Sequence, residues 1–237
     1  LRLKPEMGRA FVAQYSRVYC NRCRAIVVPS QMFIEVLRSY RVTVPIRVIP
    51  TGVALPPRRT GQAEARAQLG LPADRAILLY VGRLAREKSI DFLLQALAAW
   101  PAGQRRPLLV LVGDGPHREE LVAMSRAMGL AEDTAWVGGV AHERVFEYYA
   151  AADLFTFASR TETQGLVVAE ALGMGTPVVA VNGPGVRDYV RDETGGVLTE
   201  PDIPPFLDAI QGLLADPAAR QEAATHGLKA GELWSSR

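Results

Sequence analysis

Cysteine is scarce in this 237-residue chain, which holds only Cys20 and Cys23. Their Cys-Asn-Arg-Cys spacing suits a redox or zinc half-site, but no second Cys pair or His pair completes a metal cage. Both fall in a helical stretch and read as reduced structural thiols. No apolar run is long enough to span a bilayer and no signal peptide opens the chain, so the expected location is the cytoplasm. An excess of one charge is also missing. The formal balance is +2 and the basic residues are scattered, which argues against a nucleic-acid partner. Lysine is nearly absent: Lys4, Lys88 and Lys229 are the only ones among 27 basic residues. Two motifs are lacking as well. Without a Gly-x4-Gly-Lys-Ser/Thr string a P-loop is excluded, and there is no Asp-x-Asp string to hold a divalent metal.

Hydrophobic residues make up 49% of the chain, enough for a full core. Residues 1–24 read as a helix, with Phe11, Val12, Tyr15, Val18 and Tyr19 at helical spacing and Arg9, Arg17, Arg22 and Arg24 among them. That pattern fits a core helix with a solvated basic face more simply than a helix lying on a membrane. The abrupt start, Leu-Arg-Leu-Lys-Pro, reads as a chain cut from something longer. Residues 25–28 and 46–49 read as strands, separated by a helix that Ser30 caps and that runs to Tyr40. Two strands and two helices are too little for an independent sheet. Residues 1–54 are therefore expected to be the carboxy-terminal part of an incomplete amino-terminal domain, residues 55–61 a linker marked by Pro56, Pro57 and Gly61, and residues 62–237 a second domain.

In that second domain apolar runs at 77–81, 108–112, 134–137, 154–157, 178–181 and near Val197 alternate with helical patterns, and two helices close the chain. Strands apolar throughout, alternating with helices, predict an α/β fold: a Rossmann-like parallel sheet with helices on both faces. Ligands of such sheets bind beyond the carboxyl ends of the strands, so the loops after these strands should share one crevice.

The most legible stretch is residues 159–177, Ser-Arg-Thr-Glu-Thr-Gln-Gly-Leu-Val-Val-Ala-Glu-Ala-Leu-Gly-Met-Gly-Thr-Pro. It places Glu162 in a turn and Glu170 inside the following helix, about 7.5 Å beyond Gly165 at roughly 1.5 Å per residue. The unpaired N–H groups of Gly165, Leu166 and Val167 face the turn and can dock a phosphate. Glu170 would then lie beside the ribose of a nucleotide, and Glu162 beside whatever hangs on the far side of the phosphates. The loop Gly82-Arg83-Leu84-Ala85-Arg86-Glu87-Lys88 follows the first strand of this domain. In it Gly82 allows close backbone approach, and Arg83 and Lys88 can neutralise a diphosphate. Gly113-Asp114-Gly115-Pro116 lacks the third glycine of a dinucleotide fingerprint, because Arg118 stands in its place. Gly138 and Gly139 end the strand after Trp136, and His142 opens the next helix as either a ligand contact or a plain structural residue. Asn182-Gly183-Pro184-Gly185 has glycines suited to close approach of a ligand.

The 159–177 string resembles the Glu-x7-Glu motif of the family 4 glycosyltransferases, retaining sugar transferases of the GT-B fold. Thr-Glu-Thr-Gln-Gly-Leu-Val, with Gln164 where many members carry an aromatic residue, is most similar to the glycolipid-forming branch that glycosylates diacylglycerol. Gly-Arg-Leu-x-x-Glu-Lys resembles the family segment whose Arg and Lys bind the donor diphosphate. Ala-Ile-Val-Val-Pro-Ser and Val-Ile-Pro-Thr-Gly-Val resemble the last strands of the family's amino-terminal domain, although Ala54 replaces its usual Asp, and Asp188 stands where a Glu is more frequent.

The resemblance implies a donor domain for a nucleotide-diphosphate sugar, UDP-glucose or a close relative, with no cofactor and no metal. Gly82, Arg83, Lys88, Gly138, Glu162, Gly165, Leu166, Val167 and Glu170 would bind the donor. Arg83 and Lys88 would stabilise the leaving diphosphate. Glu162, assigned to catalysis with them, would hold sugar hydroxyls near the reacting carbon, without assignment as a covalent nucleophile. The acceptor would be diacylglycerol, met peripherally at the inner membrane face through the missing domain, and the isolated chain would be inactive. A transferase to a soluble sugar and a non-catalytic nucleotide-binding module remain the alternatives.

Overall fold

The computed structural model describes residues 5–57 and 60–235. The chain divides into two compact units, Leu1–Thr51 and Gly52–Arg237.

The first unit contains α1 (Pro5–Cys20), β1 (Ile26–Val28), α2 (Gln31–Ser39) and β2 (Ile46–Val48). The two strands pair in parallel, Ile26 opposite Ile46 and Val28 opposite Val48. Among the described residues of this unit only Val28, Ser30 and Val42 are buried. The apolar face of α1, expected to enter a core, instead lies exposed. Phe11, Tyr15 and Tyr19, four residues apart, stack along the helix at ring separations of 6.4 and 6.1 Å and stay 63–72% accessible. Ser30 does occupy the N-cap position of α2 in an extended conformation, but its side chain makes no capping bond.

The second unit runs α3 (Gln62–Leu69), β3 (Ile77–Val81), α4 (Ile90–Ala98), β4 (Leu108–Val112), α5 (Arg118–Ala127), β5 (Thr134–Gly138), α6 (His142–Ala151), β6 (Leu154–Phe157), α7 (Leu166–Gly173), β7 (Val178–Val181), β8 (Gly196–Thr199), α8 (Ile203–Ala215) and α9 (Pro217–Trp234). Its six strands form one parallel sheet in the order β5-β4-β3-β6-β7-β8. Every residue of β3, β4, β6 and β7 is buried, as expected of strands covered on both faces. The chain winds outward from β3 through β4 to β5, then returns through α6 to lay β6 beside β3 and winds to the other edge. Parallel connections of this kind are right-handed as a rule, and running in opposite directions from β3 they put helices on both faces. They also leave the reversal point between the carboxyl ends of β3 and β6.

Two features differ from the sequence expectation. Helix α3 has no strong apolar stripe and was not anticipated. It is held by Arg66, whose buried guanidinium donates from Nε to Ala151 O (2.9 Å) and from Nη2 to Asp153 Oδ2 (2.7 Å). Asp153 Oδ2 also accepts from Ile77 N (2.7 Å), so one ion pair ties α3, the end of α6 and the start of β3 together. Second, the unit boundary falls after Thr51 rather than after Ala54. Val53 is buried, bridges to Ser235 and donates from its N–H to Trp234 O (2.9 Å), which ties a residue expected in the first domain to the end of α9.

Candidate active site

A cleft of about 330 Å³ opens at the reversal point, beyond the carboxyl ends of β3 and β6. Its wall brings together Gly82, Arg83 and Lys88 from the loop after β3 with Glu162, Gly165, Leu166 and Val167 from the loop after β6 and the start of α7. Seven of the nine donor-binding candidates therefore line one cavity. Glu170 and Gly138 are not on its wall.

The loop after β3 owes its shape to backbone contacts with the loop after β4. Gly82 N donates to Val112 O and Leu84 N to Asp114 O, both at 3.0 Å. A Cβ on Gly113 would lie 1.9 Å from Gly82 O, and Gly113 also adopts φ +136°, so no other residue fits there. The Gly-Asp-Gly-Pro turn thus positions the basic loop, and α5 begins only at Arg118, beyond Pro116. From the other side, the hydroxyls of Ser159 and Thr161 donate to Glu87 O at 3.2 and 3.3 Å. This brings Lys88 onto Glu162: Nζ and Oε1 form an ion pair, and both side chains are largely shielded from water. Arg83 is exposed, lines the cleft and has no side-chain partner among the described residues.

Gly165, at the N-cap of α7, takes a left-handed conformation with φ +61°, natural for glycine. As at any helix start, the first N–H groups have no acceptor within the helix, and here they sit on the cleft wall. The glycines of the Asn182–Gly185 loop serve a different contact from the expected ligand. Gly185 N donates to Glu162 O (3.1 Å), and a Cβ there would come within 2.7 Å of Glu162 O and Gln164 N. The loop buttresses the turn that carries Glu162.

Among the cleft residues that sequence reading missed are Tyr80 and Phe157, whose rings stack 6.2 Å apart. As apolar positions inside strands they gave no signal beyond core. Burial, then Glu162 and Glu87, push the Tyr80 phenol upward, so it stays protonated and donates to Arg83 O (3.1 Å).

Glu170 lies deeper, on the buried face of α7. Tyr149 OH stands 3.0 Å from its Oε2, and His142 Nε2 is 3.7 Å from its Oε1. Burial raises the Glu170 pKa from its ordinary value, and the Tyr149 hydrogen bond and His142 pull it partly back. His142, one candidate contact among the three histidines, is therefore neighbour to a carboxylate. Gly138 ends β5 with φ +82° and its carbonyl accepts from Gly113 N (2.8 Å), a bond that joins the ends of β4 and β5.

A family model, "Glycosyl transferases group 1", matches residues 61–229. The chain belongs to the group 1 glycosyl transferases. The match lies within the unit that carries the cleft and agrees with the resemblance read from Glu162 and Glu170. An alpha-monoglucosyldiacylglycerol synthase from Streptococcus pneumoniae is 30% identical over 234 residues, 95% of this chain and 52% of that protein, in line with similarity to the diacylglycerol branch. Among solved structures, a sucrose-phosphate synthase from Thermosynechococcus elongatus superposes with a TM-score of 0.85 at 31% identity, covering 98% of this chain and 60% of that one. An Anabaena protein crystallised with UDP and glucose shares the fold at 23% identity and a TM-score of 0.85, over 98% of this chain and 65% of that one. The chain thus spans about half the length of the first of these relatives.

Proposed function

We propose that this chain is the donor-binding portion of a retaining glycosyltransferase that takes a nucleotide-diphosphate sugar, UDP-glucose foremost, for transfer to a hydroxyl acceptor, diacylglycerol. The observation that carries the reading is the cleft between β3 and β6, where Arg83, Lys88 and the first N–H groups of α7 converge on one wall. Three kinds of positive electrostatic character aimed at one space suit a diphosphate. In a leaving group they would stabilise the charge that develops as the glycosidic bond breaks.

The Lys88–Glu162 pair gives the reading a sequence of events. A diphosphate entering the cleft competes for Lys88, and Glu162, relieved of its counter-ion, turns to the sugar hydroxyls. Charge neutralisation in this scheme comes from Arg83, Lys88 and the α7 dipole, without a metal. Similarity to the diacylglycerol glucosyl relative supports a lipid acceptor, reached at the cytoplasmic membrane face through parts of the longer protein outside this chain.

The test incubates the chain with UDP-glucose and diacylglycerol, following binding by ligand-observed NMR and product by mass spectrometry. Donor binding without transfer is expected, since the cleft residues all belong to one unit while a GT-B reaction takes place between two domains. Absence of binding to any nucleotide or nucleotide sugar would reject the donor-site reading, and efficient transfer would reject the fragment reading.

A further inference from the structure

Helix α6 carries three rings on one face that no step above uses: His142, Phe146 and Tyr149, at the i, i+4, i+7 spacing that aligns side chains along a helix. Their centroids are 5.2 Å apart for His142–Phe146 and 6.1 Å for Phe146–Tyr149. Tyr149 is fully buried and meets Phe155 of β6 edge-on at 5.7 Å, so the ring has one place to be.

Its hydroxyl lies 3.2 Å from Val167 O and 3.0 Å from Glu170 Oε2. A phenol has a single proton to give. Val167 O, in the first turn of α7, is the natural acceptor for the helix's own amide four residues on, whereas a carboxylate oxygen takes a stronger, charge-assisted bond. Burial, and then Glu170 itself, hold the phenol far on its protonated side, so it donates. The other oxygen, Oε1, faces His142 Nε2 at 3.7 Å, too far for a direct hydrogen bond. The His142 side chain is 60% exposed. One carboxylate oxygen is pinned by the phenol; the other faces an exposed imidazole that it does not bond.

We propose that Tyr149 is the positioning residue of Glu170 and that His142 is a second ligand, so that Oε1 and the imidazole together receive a vicinal diol, the ribose of a nucleoside diphosphate. One hydroxyl donates to Oε1 and its neighbour bonds to His142 Nε2. The inference depends on the assignment of Glu170 to the ribose, and predicts that α6 sets the preference for ribo- over deoxyribonucleotide.

Calorimetry with UDP and 2′,3′-dideoxy-UDP on the 237-residue chain tests it. Glu170→Gln checks the underlying assignment: an unchanged UDP-to-dideoxy ratio in that variant overturns both the assignment and the inference. With the assignment intact, Tyr149→Phe is expected to cut the ratio about tenfold, the lower end of what a hydrogen bond to a charged group contributes. In a His142→Gln background the same change should move the acid limb of UDP binding to higher pH, because the bond that lowers the Glu170 pKa is gone. A purely structural tyrosine would weaken both ligands alike and leave that limb in place, which would overturn the positioning role. His142→Ala, at an exposed site that spares folding, should cut the ratio several-fold. An unchanged ratio there removes His142 as a ligand, and it decides the diol proposal if Tyr149→Phe does not fold.

Discussion

The two carboxylates of the 159–177 stretch stand in opposite chemical settings. Glu162 sits in a loop on the cleft wall and is matched by a cation, Lys88, that belongs to a different loop. Glu170 sits inside a helix, away from the cleft wall, and is held by a neutral phenol, with burial raising its pKa. A charge paired with a charge can be exchanged when a stronger anion arrives. A desolvated carboxylate held by hydroxyl chemistry is prepared for more hydroxyls. The difference teaches that one motif can hold an exchangeable ion pair and a fixed, desolvated hydrogen bond side by side; under the proposed function the first would serve the phosphate and sugar end and the second the nucleoside end.

The largest expected effect comes from removing the cations at the first end. Arg83→Ala and Lys88→Ala should each weaken UDP by roughly tenfold to hundredfold, since a hydrogen bond to a charged group contributes about 1.5–3 kcal/mol. Thermal melting should show both variants folded, and unchanged affinity by calorimetry in both would erase the ionic half of the comparison.

At the second end, Glu170→Gln should weaken UDP and UDP-glucose alike, by about tenfold. A loss confined to UDP-glucose would place Glu170 on the sugar and reverse the two roles.

Gly185→Ala sharpens the contrast through packing alone. Its new Cβ would stand 2.7 Å from Glu162 O and Gln164 N, so the turn carrying Glu162 must shift while α6, Tyr149 and Glu170 stay. Overpacking of this kind costs about 1–3 kcal/mol, seen as a lower Tm, and the affinity loss should be greater for UDP-glucose than for UDP. Equal losses would mean that the two ends are not separable.

The smallest effect is on stability. The folded-state pKa of Glu170 is raised above its ordinary value, so the folded chain binds this proton more tightly than the unfolded one. The ionised carboxylate therefore costs stability above the ordinary carboxylate pKa of 4.5, and that cost disappears as pH falls through it. Glu170→Gln should raise Tm at pH 7 and leave it unchanged near pH 3. A lower Tm at pH 7 would show that the ionised group stabilises the fold.

Much of this site was legible because its signals are local. Strand, turn, Glu162, Gly165 and helix follow one another within a dozen residues, and Lys88 stood out in a chain with three lysines. The contacts that organise Glu170 were not legible, since Tyr149 and His142 lie 21 and 28 positions away and carry no spacing rule that links them to α7. Arg66 illustrates the same limit: its partners Ala151 and Asp153 are 85 and 87 residues distant, and a short alanine-rich helix offers no apolar stripe. The glycines at 183 and 185 were read as ligand-facing because glycine signals close approach without saying to what. In α1, helical periodicity located the apolar face, but not what that face meets.

The most direct test sets Glu162→Gln beside Glu170→Gln in one calorimetric series with UDP and UDP-glucose. The division of labour predicts that Glu162→Gln loses no UDP affinity, because the neutral side chain no longer competes for Lys88, while it loses the added affinity contributed by the sugar. A loss of UDP affinity in Glu162→Gln equal to that in Glu170→Gln would contradict it.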